Sequence, residues 1–131
     1  VRQWIDATIA EVRESGFTRT MFGRVRSIPD MDSRNPNARG FAERTAVNTP
    51  LQGTAADLIK LAMTRIDRAI AEKGLAARML LQVHDELVFE VPPEERDTLT
   101  ELVKREMENV AALRVPLVVE VGVGPNWRDA K

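Results

Sequence analysis

Two carboxylates stand side by side inside an apolar run, in the order Gln82-Val83-His84-Asp85-Glu86-Leu87. Apart from these polar residues, only Glu90 interrupts the apolar stretch from Met79 to Val91. A carboxylate buried there would need a partner or a metal, because burying it alone is costly. A tight turn at a sheet edge would instead expose both carboxylates at a fixed place. Adjacent hard oxygen donors suit Mg²⁺, which binds through one or two carboxylates plus substrate phosphates. Two such ions roughly 3.5–4 Å apart are the arrangement that polymerases and nucleases use for phosphoryl transfer. Taken alone, the same pair also reads as the solvated tip of a hairpin.

Other chemistries find less support. The chain has no cysteine, so disulfides, thiolate metal sites and Cys nucleophiles are excluded. His84 is the one histidine, which excludes His-rich metal sites, HExxH motifs and His-dependent phosphohydrolase centres. No GxxxxGK loop is present. Gly122-Val123-Gly124 lacks a third glycine and is too near the end of the sequence for a dinucleotide-binding unit. A Ser-His-Asp triad survives counting, but no serine sits in a nucleophile elbow.

The elements that must position the acidic pair follow from periodicity. Trp4, Ile5, Ile9 and Val12 repeat at helical spacing over residues 2–15, and Gly16 stops that helix. Residues 17–28 read as a short hairpin around Met21-Phe22-Gly23-Arg24. A polar loop runs from Pro29 to Pro36, followed by a helix over about 37–48. Thr49-Pro50-Leu51-Gln52 predicts a new helix start, with Thr49 as cap, Pro50 in the first turn and Gln52 closing a capping box. Ala55, Leu58, Ile59, Ala62, Ile66, Ala69 and Ile70 then form a stripe that should face a sheet, up to Gly74.

Residues 79–91 read as two strands with the turn at the acidic pair. Pro92-Pro93-Glu94-Glu95 opens a helix whose apolar stripe is Leu99, Leu102, Val103, Met107 and Val110. Leu117–Val121 reads as a third strand. Trp4 and Trp127 read as packing anchors. The expected fold is α+β, an antiparallel hairpin plus a C-terminal strand packed on long helices.

At 131 residues, with 44% hydrophobic and 30% charged residues, the chain suits one globular domain and not a disordered segment. No apolar stretch approaches membrane-spanning length and no signal segment opens the chain. Val1–Gln3 already look mid-helix, which points to a piece of a longer chain. The net charge of −1 hides an asymmetry. Residues 17–44 hold six Arg against three acids, while residues 85–120 hold ten acids against four bases. Arginine suits bidentate phosphate contact, although a coding bias toward Arg explains the same count.

These segments together resemble the bacterial DNA polymerase I family, family A. Gln82–Val91 is similar to its third polymerase motif, and Pro50–Lys60 to the helix that precedes that motif. Arg44-Thr45-Ala46-Val47-Asn48, Val115–Gly122 and Asn126-Trp127 match family segments in the same order. The resemblance implies a DNA-directed DNA polymerase piece, with residues 1–48 from the fingers and residues 49–131 from the palm. Asp85 would be the catalytic aspartate that ligates both Mg²⁺ ions. Glu86 would be the adjacent carboxylate, a supporting catalytic and metal-site residue. His84 would lie near the primer terminus, and Arg44, Asn48, Gln52 and Gln82 would line the DNA at the primer end. Arg24 would be a basic residue on the fingers side.

The implied partners are primer–template DNA, dNTP and the rest of the polymerase chain, with no membrane, in the bacterial cytoplasm at the nucleoid. The family's first metal-binding motif and its triphosphate-holding helix have no counterpart here, so the piece alone is expected to be inactive. The alternative reading is a non-catalytic nucleic-acid-binding module. The spacing agrees with the DNA roles that the resemblance implies. Arg44, Asn48 and Gln52 lie four apart and form one polar row if the two helices run nearly continuously. Such donors reach minor-groove acceptors that every base pair presents, so they sense pairing geometry and not sequence.

Overall fold

The computed structural model describes residues 1–130 as two compact units, one spanning Val1–Asp57 and the other running from Leu58 onward. The element order is α1 (Arg2–Ser15), β1 (Phe17–Arg19), β2 (Val25–Ser27), α2 (Pro36–Glu72), β3 (Arg78–Val83), β4 (Glu86–Glu90), a 3₁₀ turn (Pro93–Glu95) and α3 (Arg96–Glu108). Helices and two antiparallel hairpins, β1–β2 and β3–β4, make the fold α+β.

In the first unit the core is Val12 of α1, Ile28 and Met31 of the loop after β2, and Ala42 and Ala46 of α2. Asn35 accepts from the Asn37 backbone N–H at 2.9 Å, and Pro36 occupies the first helical turn, so α2 begins with a polar cap followed by proline. The second such signal, Thr49-Pro50, does not start a helix. Helix α2 runs through it, and the Thr49 hydroxyl donates back to the Thr45 carbonyl at 2.7 Å instead of capping forward. The expected capping box at Gln52 is therefore absent.

A proline inside a helix leaves the carbonyl four residues earlier without its N–H donor. For Pro50 that carbonyl belongs to Ala46, and the buried Thr18 hydroxyl of β1 donates to it at 2.9 Å. The hairpin thus supplies the hydrogen bond that Pro50 removes.

In the second unit Ala62, Ile66 and Ile70 of α2 join Ala77, Leu99, Leu102, Val103 and Val110 in one core. Leu87, Phe89, Val91 and Met107 pack against it. The expected stripes of α2 and α3 are the ones buried, except that Ala55 is exposed. Helix α2 stops in a Schellman arrangement, with the Leu75 N–H on the Ile70 carbonyl and the Gly74 N–H on the Ala71 carbonyl. Gly74 holds φ 63°, with nothing within 4 Å of an added Cβ. Gly74→Ala therefore meets no clash and carries only the left-handed backbone penalty. It should lower stability by about 1 kcal/mol, read as a shifted denaturant midpoint at unchanged slope. The Glu95 carboxylate accepts from the Ala76 and Ala77 N–H groups at 2.9–3.0 Å, fastening the entry to β3.

Two expectations fail. Leu117–Val121 joins no ladder among the described residues. A strand needs a neighbouring edge, and here the Val119 N–H goes to the Glu108 carboxylate at 3.0 Å, leaving Val118 exposed. Trp4 and Trp127 stay 43% and 48% exposed and belong to neither core. Trp4 lies roughly 12 Å of helix rise before Val12, the residue through which α1 enters its core. Among the described residues no helix is long and apolar enough to cross a membrane.

Candidate functional site

Val83 pairs with Glu86 at the closed end of β3–β4, so the loop is two residues long. It comprises His84 and Asp85, one position earlier than the acidic pair, and Glu86 opens β4. Two-residue loops match the twist of their strands when the first loop residue takes positive φ. His84 supplies it at φ 53°, the one non-glycine to do so among the described residues. A side chain in that region costs on the order of 1–2 kcal/mol, and such strain collects at functional sites. Gln82 holds the turn, its Nε2 donating to the His84 carbonyl at 2.9 Å.

Strand alternation places Glu86 on the face of Val88 and Glu90, opposite Leu87 and Phe89, which pack on the core. Gln82, His84, Asp85 and Glu86 are all exposed. A bulge lies between Met79 and Leu81 in β3, a device that re-aims strands beside functional sites. The hairpin thus presents two neighbouring carboxylates to solvent from a turn anchored by its own core. Their hard oxygens fit Mg²⁺ chemistry. Among the described residues no three His, Asp or Glu side chains gather to hold a metal.

A second group lies on α2 in the first unit. Arg44, Asn48 and Gln52 are exposed, and because the helix continues through Pro50 they share one face. Ala42, Ala46 and Thr49 are buried on another. Arg24 of the hairpin loop is engaged locally. Its Nε donates to Asp57 Oδ1 at 2.8 Å and its Nη2 to the Gly53 carbonyl at 3.2 Å. The row belongs to the first unit and the acidic hairpin to the second.

Gly53, Thr54 and Asp57 join α2 to the β1–β2 hairpin beside Gln52, a contact the sequence does not single out. Their signal was the glycine beside Gln52 within a helix, which costs about 1 kcal/mol relative to alanine and so marks a close approach. A Cβ on Gly53 would lie 2.7 Å from the Thr20 methyl carbon.

The sequence model of DNA polymerase family A matches residues 1–129. DNA polymerase I of Caldicellulosiruptor bescii is 51% identical over 131 residues, all of this chain and 15% of that protein. The thermostable DNA polymerase I of Thermus aquaticus is 52% identical over 131 residues, all of this chain and 16% of its own length. The chain thus spans about a sixth of the length of these curated relatives. Among solved structures, the POL domain of Pol1 from M. smegmatis, in complex with DNA primer-template and dNTP, superposes with a TM-score of 0.95 at 47% identity. That match covers 98% of this chain and 23% of the other. From its first helix to its last turn, this chain belongs to DNA polymerase family A.

Proposed function

We propose that the chain is the part of a DNA-directed DNA polymerase that carries one metal-binding carboxylate turn and part of the surface gripping the primer end. In this reading residues 1–48 belong to the fingers and residues 49–131 to the palm. The observation that carries it is the exposed Asp85–Glu86 pair at the turn made by the strained His84, in a family A chain. The similarity to a polymerase domain bound to primer-template and dNTP supports the same reading.

In the reaction the primer 3′ oxygen bonds to the α-phosphorus of a dNTP as the bond to pyrophosphate breaks. Two Mg²⁺ ions, when bound, supply activation of that hydroxyl and charge stabilisation at the phosphates. Asp85 would hold them, with Glu86 beside it tuning the charge of the turn. His84, at the same turn, would lie near the primer terminus. Arg44, Asn48 and Gln52 offer donors to the minor-groove acceptors of the newest base pairs. The rest of the polymerase chain supplies the other metal ligands and the grip on the triphosphate.

The test is primer extension by the full-length chain with Mg²⁺ and four dNTPs, with Gln52→Ala alongside. The parent should extend the primer. Gln52→Ala should lose matched-terminus efficiency by about five- to tenfold, the worth of one net hydrogen bond, while mismatched termini change less. The matched-to-mismatched ratio then falls. A full-length chain that binds primer–template and adds no nucleotide would identify a binding module and end the enzymatic reading.

A further inference from the structure

We infer that Asp57, Arg24 and Thr54 are positioning residues for Gln52; this rests on the reading of Gln52 as a primer-end contact. Helix α2 is locally weak beside Gln52. Pro50 removes one helical hydrogen bond and Gly53 contributes backbone freedom. The β1–β2 hairpin covers that stretch. Thr18 completes the Ala46 carbonyl, and the Thr20 methyl lies 2.7 Å from where a Gly53 Cβ would be. Beyond them, the Met21 N–H donates to Thr54 Oγ1 at 2.9 Å.

Arg24 bridges the next turn, with Nη2 on the Gly53 carbonyl and Nε on Asp57. The Asp57 side chain is only 12% exposed, so this ion pair is largely withdrawn from solvent on its acidic side. The loop that carries Arg24 is itself fixed, since Thr20 Oγ1 accepts from the Phe22 and Arg24 N–H groups.

At about 100° per residue, Ala46, Gly53, Thr54 and Asp57 lie opposite the Arg44–Asn48–Gln52 row. The hairpin therefore grips the back of the helix where the row is presented on its front. The rotation of Gln52 about the helix axis follows from that grip and not from helix propensity. Arg24 acts here through α2, and Asp57 is the member to substitute, since it lies away from the row.

The experiment uses the full-length polymerase and reads the ratio of extension efficiencies from matched and mismatched primer termini. Asp57→Asn should lower the ratio about three- to tenfold, and Thr54→Val, nearly isosteric, should lower it in the same direction. In a Gln52→Ala background neither should lower it further. A merely structural role would reduce the active fraction, scale both efficiencies together and leave the ratio unmoved. If Asp57→Asn yields no folded protein, Thr54→Val carries the test. An unchanged ratio in the variants, with Gln52→Ala still lowering it, overturns the inference and leaves the primer-end reading standing. Effects that add to Gln52→Ala overturn it too. A Gln52→Ala enzyme with the parental ratio overturns both.

Discussion

Asp85→Asn in the full-length polymerase should cut nucleotide addition on the order of a thousandfold, equivalent to about 4 kcal/mol of transition-state stabilisation. Primer–template affinity should change little. The amide keeps the size of the side chain and removes the charge proposed to hold a divalent ion. Asp85 is exposed, so little folding energy is at stake. The turn survives as well, because its positive φ belongs to His84 and its side-chain hydrogen bond runs from Gln82 to the His84 carbonyl. An interaction that matters only when charge develops at the phosphates lowers turnover and not binding. Glu86→Gln should have the smaller effect, as the carboxylate beside the proposed principal ligand. Single-turnover extension at saturating dNTP, with DNA binding measured separately, decides it. Near-parental turnover in Asp85→Asn would reduce the acidic pair to a solvated turn.

The acidic turn was legible in the sequence because charge interrupts an otherwise apolar run. Both flanking strands form, and Leu87 and Phe89 reach the core as alternation requires. The stripes of α2 and α3 were legible for the same reason, and Gly74 marked the end of α2 by local backbone chemistry. What failed depended on partners remote in sequence. Thr49-Pro50 carries the local marks of a helix start. Thr18, 28 positions from Ala46, supplies the hydrogen bond that lets the helix continue. Leu117–Val121 has strand-like composition, but composition cannot provide a neighbouring edge, and Glu108 takes the Val119 N–H instead.

The site divides along the same line. The Arg44, Asn48 and Gln52 spacing could be read directly, yet whether it formed one row depended on the fate of Pro50. Once α2 is continuous, the capping explanation for Gln52 disappears. The resemblance made Arg24 a basic residue on the fingers side. Its partner Asp57 lies 33 positions away, and no local pattern joins the two. The glycine within the helix at Gly53 was the one sequence mark of the hairpin's approach, legible only as a cost that some contact had to offset.

The 131-residue chain by itself should add no nucleotide to a primer. Two-metal transfer needs ligands converging from more than one segment, and among the described residues no three His, Asp or Glu side chains gather to hold a metal. Two carboxylates in water hold Mg²⁺ weakly, because the ion gives up its own waters reluctantly. Even an ion bound there would lack the donors that orient the triphosphate, and orientation is worth many orders of magnitude. Weak DNA binding should persist, since residues 17–44 keep six Arg against three acids. That binding should be indifferent to sequence and fall steeply between low and moderate salt as counterions are released. It serves as the control that the basic segment is available to DNA. Extension is then measured with Mg²⁺, four dNTPs and the chain in excess over primer–template. Template-dependent product that scales with chain concentration and vanishes in Asp85→Asn would sink the prediction. The Asp85 comparison separates the chain's own activity from that of a co-purified polymerase, which the substitution would leave untouched.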